Sequence, residues 1–268
     1  MLFRSNKFSS NLPKPLQKTI SLAALAKPRE IDMPDKHLSS QFDAELNQIS
    51  TNVMELGGLV ESQIRQAIFA LSHFNVGVAD DVIVTENRVN ALEVEIDREI
   101  TSVISRRQPT ARDLRLLVAM SKTTANLERV GDEATKIARM VKSIIDGVAP
   151  RALPSSDLRV CGELATGLLH KALDSLARLD VPSAVAILRE DDLIDQEFDG
   201  FVRKLITYMM EDPRTISASL DLLFIAKAIE RIGDHSKNIA EFIIYIVKGE
   251  DVRHTPLADI EAAMNTSN

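Results

Sequence analysis

The chain of 268 residues has no tryptophan, two tyrosines and a single cysteine, and each shortage excludes something. A lone Cys161 rules out an intramolecular disulfide and any cysteine-based zinc site, and it fits a reducing cytosol. With aromatics at 4% and only ten glycines and ten prolines, the core must come from Leu, Ile, Val and Ala, which recur at helical spacing. No apolar run reaches the ~18–20 residues that span a bilayer; Phe242 to Val247 is a short one. Gly162 to Gly167 imitates the glycine spacing of a phosphate-binding loop, but Leu168 and Leu169 stand where Lys and Ser/Thr are required. There is no Gly-x-Ser-x-Gly and no His-x-Glu, and none of the five histidines has a glutamate three residues before it. The expectation is a protein that is not an enzyme.

The net charge of −7 hides a split. Residues 1–32 carry six basic side chains (Arg4, Lys7, Lys14, Lys18, Lys27, Arg29) against Glu30 and Asp32, so the remaining body stands at −11. An acidic body argues against nucleic acid as a ligand. Residues 1–33 are rich in Pro, Ser and Asn without a sustained period and read as a disordered extension. Within it, Ile20 to Ala26 is too short for a signal peptide and is followed by Lys27-Pro28, and Met33 offers an alternative start.

From about residue 37 the period is helical. Phe42, Leu46, Ile49, Val53, Leu56, Val60, Ile64, Ala67 and Leu71 trace a first helix. A second is expected over about 79–107 and a third over about 111–147, with Thr110 placed to cap it after Pro109. Gly147 through Ser156 is a Gly/Pro/Ser break, after which helices are expected over about 157–179, 182–211 and 214–248. Three helices, a break and three more of matching order make an internal duplication. The expected fold is all-α, two tandem three-helix bundles over 34–149 and 154–250, with 251–268 a weak helix or tail.

The third helix of each repeat carries the chemistry. Leu116, Met120, Thr123, Leu127, Val130, Ala134, Ile137, Val141 and Ile144 form one apolar ladder. Residues 102 further on, from Ala218 to Ile246, form another. Off both ladders lies the same run, Glu128-Arg129-Val130-Gly131-Asp132 and Glu230-Arg231-Ile232-Gly233-Asp234. Carboxylates four apart on a helix repel by roughly 0.2–0.5 kcal/mol, and a helix-interior glycine costs about 1 kcal/mol against alanine. A chain that accepts both twice is expected to hold something positive there. The second helices supply partners at the same four-residue spacing, Glu86 with Asn90 and Asp191 with Asp195. Eight oxygen-bearing side chains, flanking the seams and facing outward, suit hard cations in shallow grooves. The plain alternative is a solvated acidic face. Gly131 and Gly233 could instead admit a close neighbouring backbone, and Arg129 and Arg231 read as surface ion-pair partners before anion ligands. Lys136 offers Asp132 a local counter-charge that Asn238 does not repeat. Glu93, Glu95, Asp97 and Asp199 read as a solvated strip, and His235 beside Asp234 is a further candidate ligand, with Glu133 at its place in repeat one.

The tandem E-R-[VI]-G-D helices, the acidic pairs before them, the linker Arg107-Gln108-Pro109-Thr110-Ala111-Arg112-Asp113-Leu114-Arg115 and the run Tyr208-Met209-Met210-Glu211-Asp212 together resemble the PhoU family over about residues 35–255. These are bacterial accessory proteins of phosphate transport and repressors of the phosphate regulon. The resemblance implies a cytoplasmic, commonly dimeric protein that links the ATPase subunit of the phosphate ABC transporter to the phosphate-sensing histidine kinase, keeping signalling off at high phosphate. It also implies iron or zinc clusters at Glu86, Glu128 and Asp132 and at Asp191, Asp195, Glu230 and Asp234, where the oxygen-only ligand set by itself also suits manganese or magnesium. Asn90 departs from the acidic pattern, its amide oxygen being a weaker, neutral ligand. A second reading of the same carboxylates is metal storage or a metal-dependent phosphate-handling activity.

Overall fold

The computed structural model describes residues 40–147 and 154–265. The expected extension over 1–33, and residues 148–153 of the expected break from Gly147 to Ser156, fall outside the described residues. Among the described residues, seven α-helices run in order: α1 (Ser40–His73), α2 (Val76–Arg107), α3 (Ala111–Asp146), α4 (Ser156–Arg178), α5 (Val181–Glu211), α6 (Ile216–Lys248) and α7 (Leu257–Asn265). A 3-10 turn, Pro213–Thr215, joins α5 to α6.

Local chemistry sets the ends. The Asn75 side chain accepts from the Val78 amide at 3.1 Å to start α2, and Asp180 accepts from Ser183 at 3.1 Å to start α5. Gly249, at φ +77, closes α6 in the left-handed conformation that favours glycine, its amide donating to the Tyr245 carbonyl. Thr110 occupies the cap position of α3 but makes no side-chain cap bond. Its backbone is extended (ψ 175) behind Pro109, and its carbonyl accepts from Leu114 instead.

Both apolar ladders are buried along their lengths, apart from the half-buried Leu116. Helices α1–α3 pack on one another, as do α4–α6, and the two trios share one continuous core and one compact unit. Two antiparallel seams join them. Along α3–α6, Ser143 donates to Asp221, Arg231 pairs with Glu133, Asn238 donates to Asn126 and Lys122 lies over the rings of Phe242 and Tyr245. Along α1–α4, Gly57 faces Leu173 and Gly162 faces Ile68; the two glycines are 105 residues apart, and so are Ile68 and Leu173. The stretch read as a weak helix or tail contains a real helix, α7, which packs on α5 and buries Ile260.

Candidate functional site

The described helices place repeat one's acidic residues as follows. Glu86 on α2 is buried, Glu128 on α3 is half-buried, Asp132 is exposed, and one oxygen from each lies within 4.8 Å of the others. Among the described residues, no other set of three acidic, His or Cys side chains converges as tightly. Asn90, one turn beyond Glu86, is exposed. The outward-facing groove expected from the sequence is therefore half right: Glu86 and its counterpart Asp191 are turned into the helix interfaces, at 8% and 1% exposure. Heptad position flanks the seam in both, but a flanking position on α2 faces α1 as well as α3.

That third helix supplies the residue the sequence reading missed. Gln63 on α1 is 1% exposed, and its Nε2 donates to Glu86 Oε2 (3.0 Å), the Val82 carbonyl (3.1 Å) and Thr135 Oγ1 (3.2 Å). The Thr135 hydroxyl also donates to Glu86 Oε2, at 3.0 Å. Glu86 Oε1 and Gln63 Oε1 remain buried without a hydrogen-bond partner among the described residues. Buried acceptors without donors are costly, and two beside three carboxylates fit a cation. A single Gln inside the apolar stripe of the first helix was the available signal.

Gly131 explains itself here. A Cβ at that position would sit 3.2 Å from Gln63 Oε1, Glu86 Oε2 and Val89 Cγ1. Gly233 does the same for repeat two, where a Cβ would lie 2.9 Å from Ile194 Cδ1 and 3.0 Å from Asp191 Oδ1. The close neighbours are side chains of α1, α2 and α5, not backbone.

Electrostatics single out the same group. Burial, and then the charges of Asp132, Glu93 and Glu86, push the Glu128 carboxyl up to about 7. Glu93, read as part of a solvated strip, is half-buried two turns along α2 from Glu86, and burial with Asp97 and Asp132 raises it too. Of the rest of that strip, Glu95, Asp97 and Asp199 are exposed. A carboxyl whose folded value lies above its unfolded one holds a proton in the native state that the unfolded chain has released. Its stabilising contribution is full below about 4.5 and is lost as pH rises through about 7. Cation-free protein should therefore lose thermal stability between pH 5 and 8 relative to Glu128→Gln, as read from the difference between their melting curves; parallel pH profiles would contradict the clustering.

Repeat two is arranged differently. Asp195 and Asp234 are exposed and Glu230 is half-buried. Burial and the neighbouring acids Glu230, Asp191 and Asp195 raise Asp234 to about 6. Lys237 Nζ, however, pairs with Asp191 Oδ2 at 3.0 Å, and Lys227 pairs with Glu230 Oε1. Of the motif arginines, Arg231 pairs across the α3–α6 seam with Glu133 (2.7 Å), while Arg129 is exposed beside Glu128. Lys136 serves Glu133 at 3.3 Å, not Asp132. His235 is seated in the same seam, Nδ1 3.0 Å from Asn126 Oδ1. Asn126 donates its own amide to the Lys122 carbonyl, so its oxygen accepts and the imidazole proton sits on Nδ1. Burial and the charges of Arg231 and Arg129 lower His235 to about 4, and it stays neutral.

The fold and this site define a duplicated helical-bundle protein with paired acidic clusters beside the inter-repeat seam. The PhoU domain model matches twice, over residues 53–141 and 158–243. The chain belongs to the PhoU family. It is 51% identical over 223 residues to a phosphate-specific transport system accessory protein PhoU homolog of Burkholderia sp, covering 83% of this chain and 95% of that one. It is 49% identical over 220 residues to the phosphate-specific transport system accessory protein PhoU of Escherichia coli K12, covering 82% and 90%. The crystal structure of PhoU from Pseudomonas aeruginosa superposes with a TM-score of 0.76 at 39% identity, covering 78% of this chain and all of that one. That of the phosphate transport system regulatory protein PhoU from Streptococcus pneumoniae gives 0.73 at 26% identity, covering 79% and 99%.

Proposed function

We propose that this chain is a non-enzymatic accessory regulator of phosphate uptake and of the phosphate regulon. In this reading 34–149 and 154–250 are its duplicated units. It works in the cytoplasm as a homodimer, between the ATPase subunit of the phosphate ABC transporter and the phosphate-sensing histidine kinase, and keeps signalling off when phosphate is plentiful. The observation that carries this reading is the double PhoU domain, about half identical to two phosphate-transport accessory proteins over more than four-fifths of the chain. Two features are consistent with it. No helix among the described residues is long and apolar enough to cross a membrane, so membrane partners would be met from one side. The clustered groups are carboxylates. Neither relative's name mentions metal storage or a phosphate-handling activity.

The Glu86, Glu128 and Asp132 cluster is the proposed cation site. Its donors are all carboxylate oxygens, which select Mg²⁺, Mn²⁺, Ca²⁺ or oxidised iron over soft metals. A bound ion would supply positive charge to the ledge; Gln63 and Thr135 hold Glu86 in place for it. Deleting the gene is expected to switch on a phosphate-regulon reporter in phosphate-rich medium, and the wild-type copy to restore repression. Repression that survives the deletion would refute the regulatory reading.

A further inference from the structure

We propose that Lys237 is a built-in counter-ion that takes the cation's place in repeat two, so that a divalent ion binds at Glu86, Glu128 and Asp132 and not at Asp191, Asp195, Glu230 and Asp234. The inference rests on the cation reading of repeat one and divides the two motifs that the sequence presents as copies.

The register between the repeats is set by the glycines. Gly131 faces Glu86 and Val89, and Gly233, 102 residues on, faces Asp191 and Ile194. Glu86 therefore corresponds to Asp191 across the α2–α3 and α5–α6 pairs. On the third helix Thr135 corresponds to Lys237, and Ala125 to Lys227. On the first helix the offset of 105 seen for Gly57 and Gly162 makes Leu168 the counterpart of Gln63.

These substitutions all act in one direction. In repeat one the buried carboxylate meets neutral donors, Gln63 Nε2 and Thr135 Oγ1, both on Oε2. Neutral donors orient a carboxylate without cancelling its charge, and Oε1 of both Glu86 and Gln63 is left buried without a partner. Neither Glu128 nor Asp132 forms an ion pair among the described residues. In repeat two an ammonium stands where the threonine was, 3.0 Å from Asp191 Oδ2, and a second ammonium stands on Glu230 where repeat one has Ala125. The donor amide of Gln63 has become the buried, apolar Leu168. A pocket of about 460 Å³ opens beside this ledge, lined by Lys227, Arg231 and Lys237 as well as Asp234.

Glu230 Oε2 is also buried without a partner, so repeat two keeps residual negative potential. A divalent ion placed there would nonetheless lie within a few ångströms of one or two ammonium groups. That repulsion weakens binding on the order of 100-fold or more. Removing Lys237 should uncover a second site.

The test is Mn²⁺ equilibrium dialysis with elemental analysis, on full-length protein first stripped with a chelator. Wild type is expected to bind Mn²⁺, and Glu86→Gln/Asp132→Asn to lose it almost entirely. Lys237→Thr, which gives repeat two the residue of repeat one, is expected to about double the Mn²⁺ bound. If Lys237→Thr does not fold without metal, recovery of its circular dichroism by Mn²⁺ is the expected result, and Lys237→Gln, which keeps a donor to Asp191, provides a folded comparison with added Mn²⁺. Full Mn²⁺ retention by Glu86→Gln/Asp132→Asn would overturn the inference, as would unchanged binding in both Lys237 variants. Absence of Mn²⁺ from wild type would instead overturn the cation reading beneath it.

Discussion

Gly57→Ala is expected to destabilise the wild-type chain and to stabilise the Leu173→Ala variant. A Cβ at residue 57 would lie 2.6 and 2.9 Å from the two Leu173 methyls. Those methyls end a flexible side chain, but Leu173 is buried in the shared core and has no solvent to swing into. Overpacking of this kind costs about 1–3 kcal/mol, against about 1 kcal/mol gained from replacing a helical glycine. The net loss is up to about 2 kcal/mol. Leu173→Ala alone should cost about 2–5 kcal/mol through lost burial and the cavity left behind. In that cavity the new methyl is no longer a clash, so Gly57→Ala should then raise stability by about 1 kcal/mol. Urea melts of the four proteins give the coupling directly, expected at roughly 1–3 kcal/mol. Equal effects of Gly57→Ala in both backgrounds would mean that α1 and α4 do not meet this closely. Gly162 and Ile68, at the mirror position of the same seam, should behave alike.

That seam was not legible in the sequence, and the reason is physical. Hydrophobic period shows which face of a helix is buried, so both ladders and the duplicated trios could be read from spacing alone. It does not show which buried face meets which. Gly57 and Gly162 fall inside strong helical patterns, where a glycine reads as a small local cost; only the facing Leu173 and Ile68 make it a point of close approach. The same limit governed the carboxylates. Glu86 and Asp191 sit at flanking positions, which a single-helix view sends to water, yet each is covered by a neighbouring helix. Counter-charge was sought one turn along the same helix, at Lys136, whereas the ion pairs that matter run between helices, Lys237 to Asp191 and Arg231 to Glu133. Lys237 is adjacent to Asn238, the residue compared with Lys136. One position decided between a surface side chain and one aimed at α5.

Adding Mn²⁺ to the metal-free protein is expected to raise its melting temperature, and Asp132→Asn to abolish that rise while melting slightly higher than wild type without metal. The two halves of this result have opposite signs because one carboxylate plays two parts. Without a cation, Asp132 stands within reach of Glu86 and Glu128 with no ion-pair partner among the described residues. Neutralising it removes a like-charge repulsion of roughly 0.2–0.5 kcal/mol for the pair with Glu128, worth about 0.5–2 °C in a chain of this size. With Mn²⁺ at one hundred times its dissociation constant, binding to the native state alone adds about 2.7 kcal/mol, or roughly 5–10 °C. The variant lacks one of three charged donors and should show little of that gain. An aspartate kept only for packing or solvation would behave otherwise: its amide would lower the metal-free melting point or leave it unchanged, and Mn²⁺ would act equally on both proteins. Finding that pattern in calorimetry would reduce the cluster to a solvated acidic face. The expected crossing, a variant more stable than wild type without metal and less stable with it, distinguishes a site that stores repulsion for a cation from one that merely tolerates it.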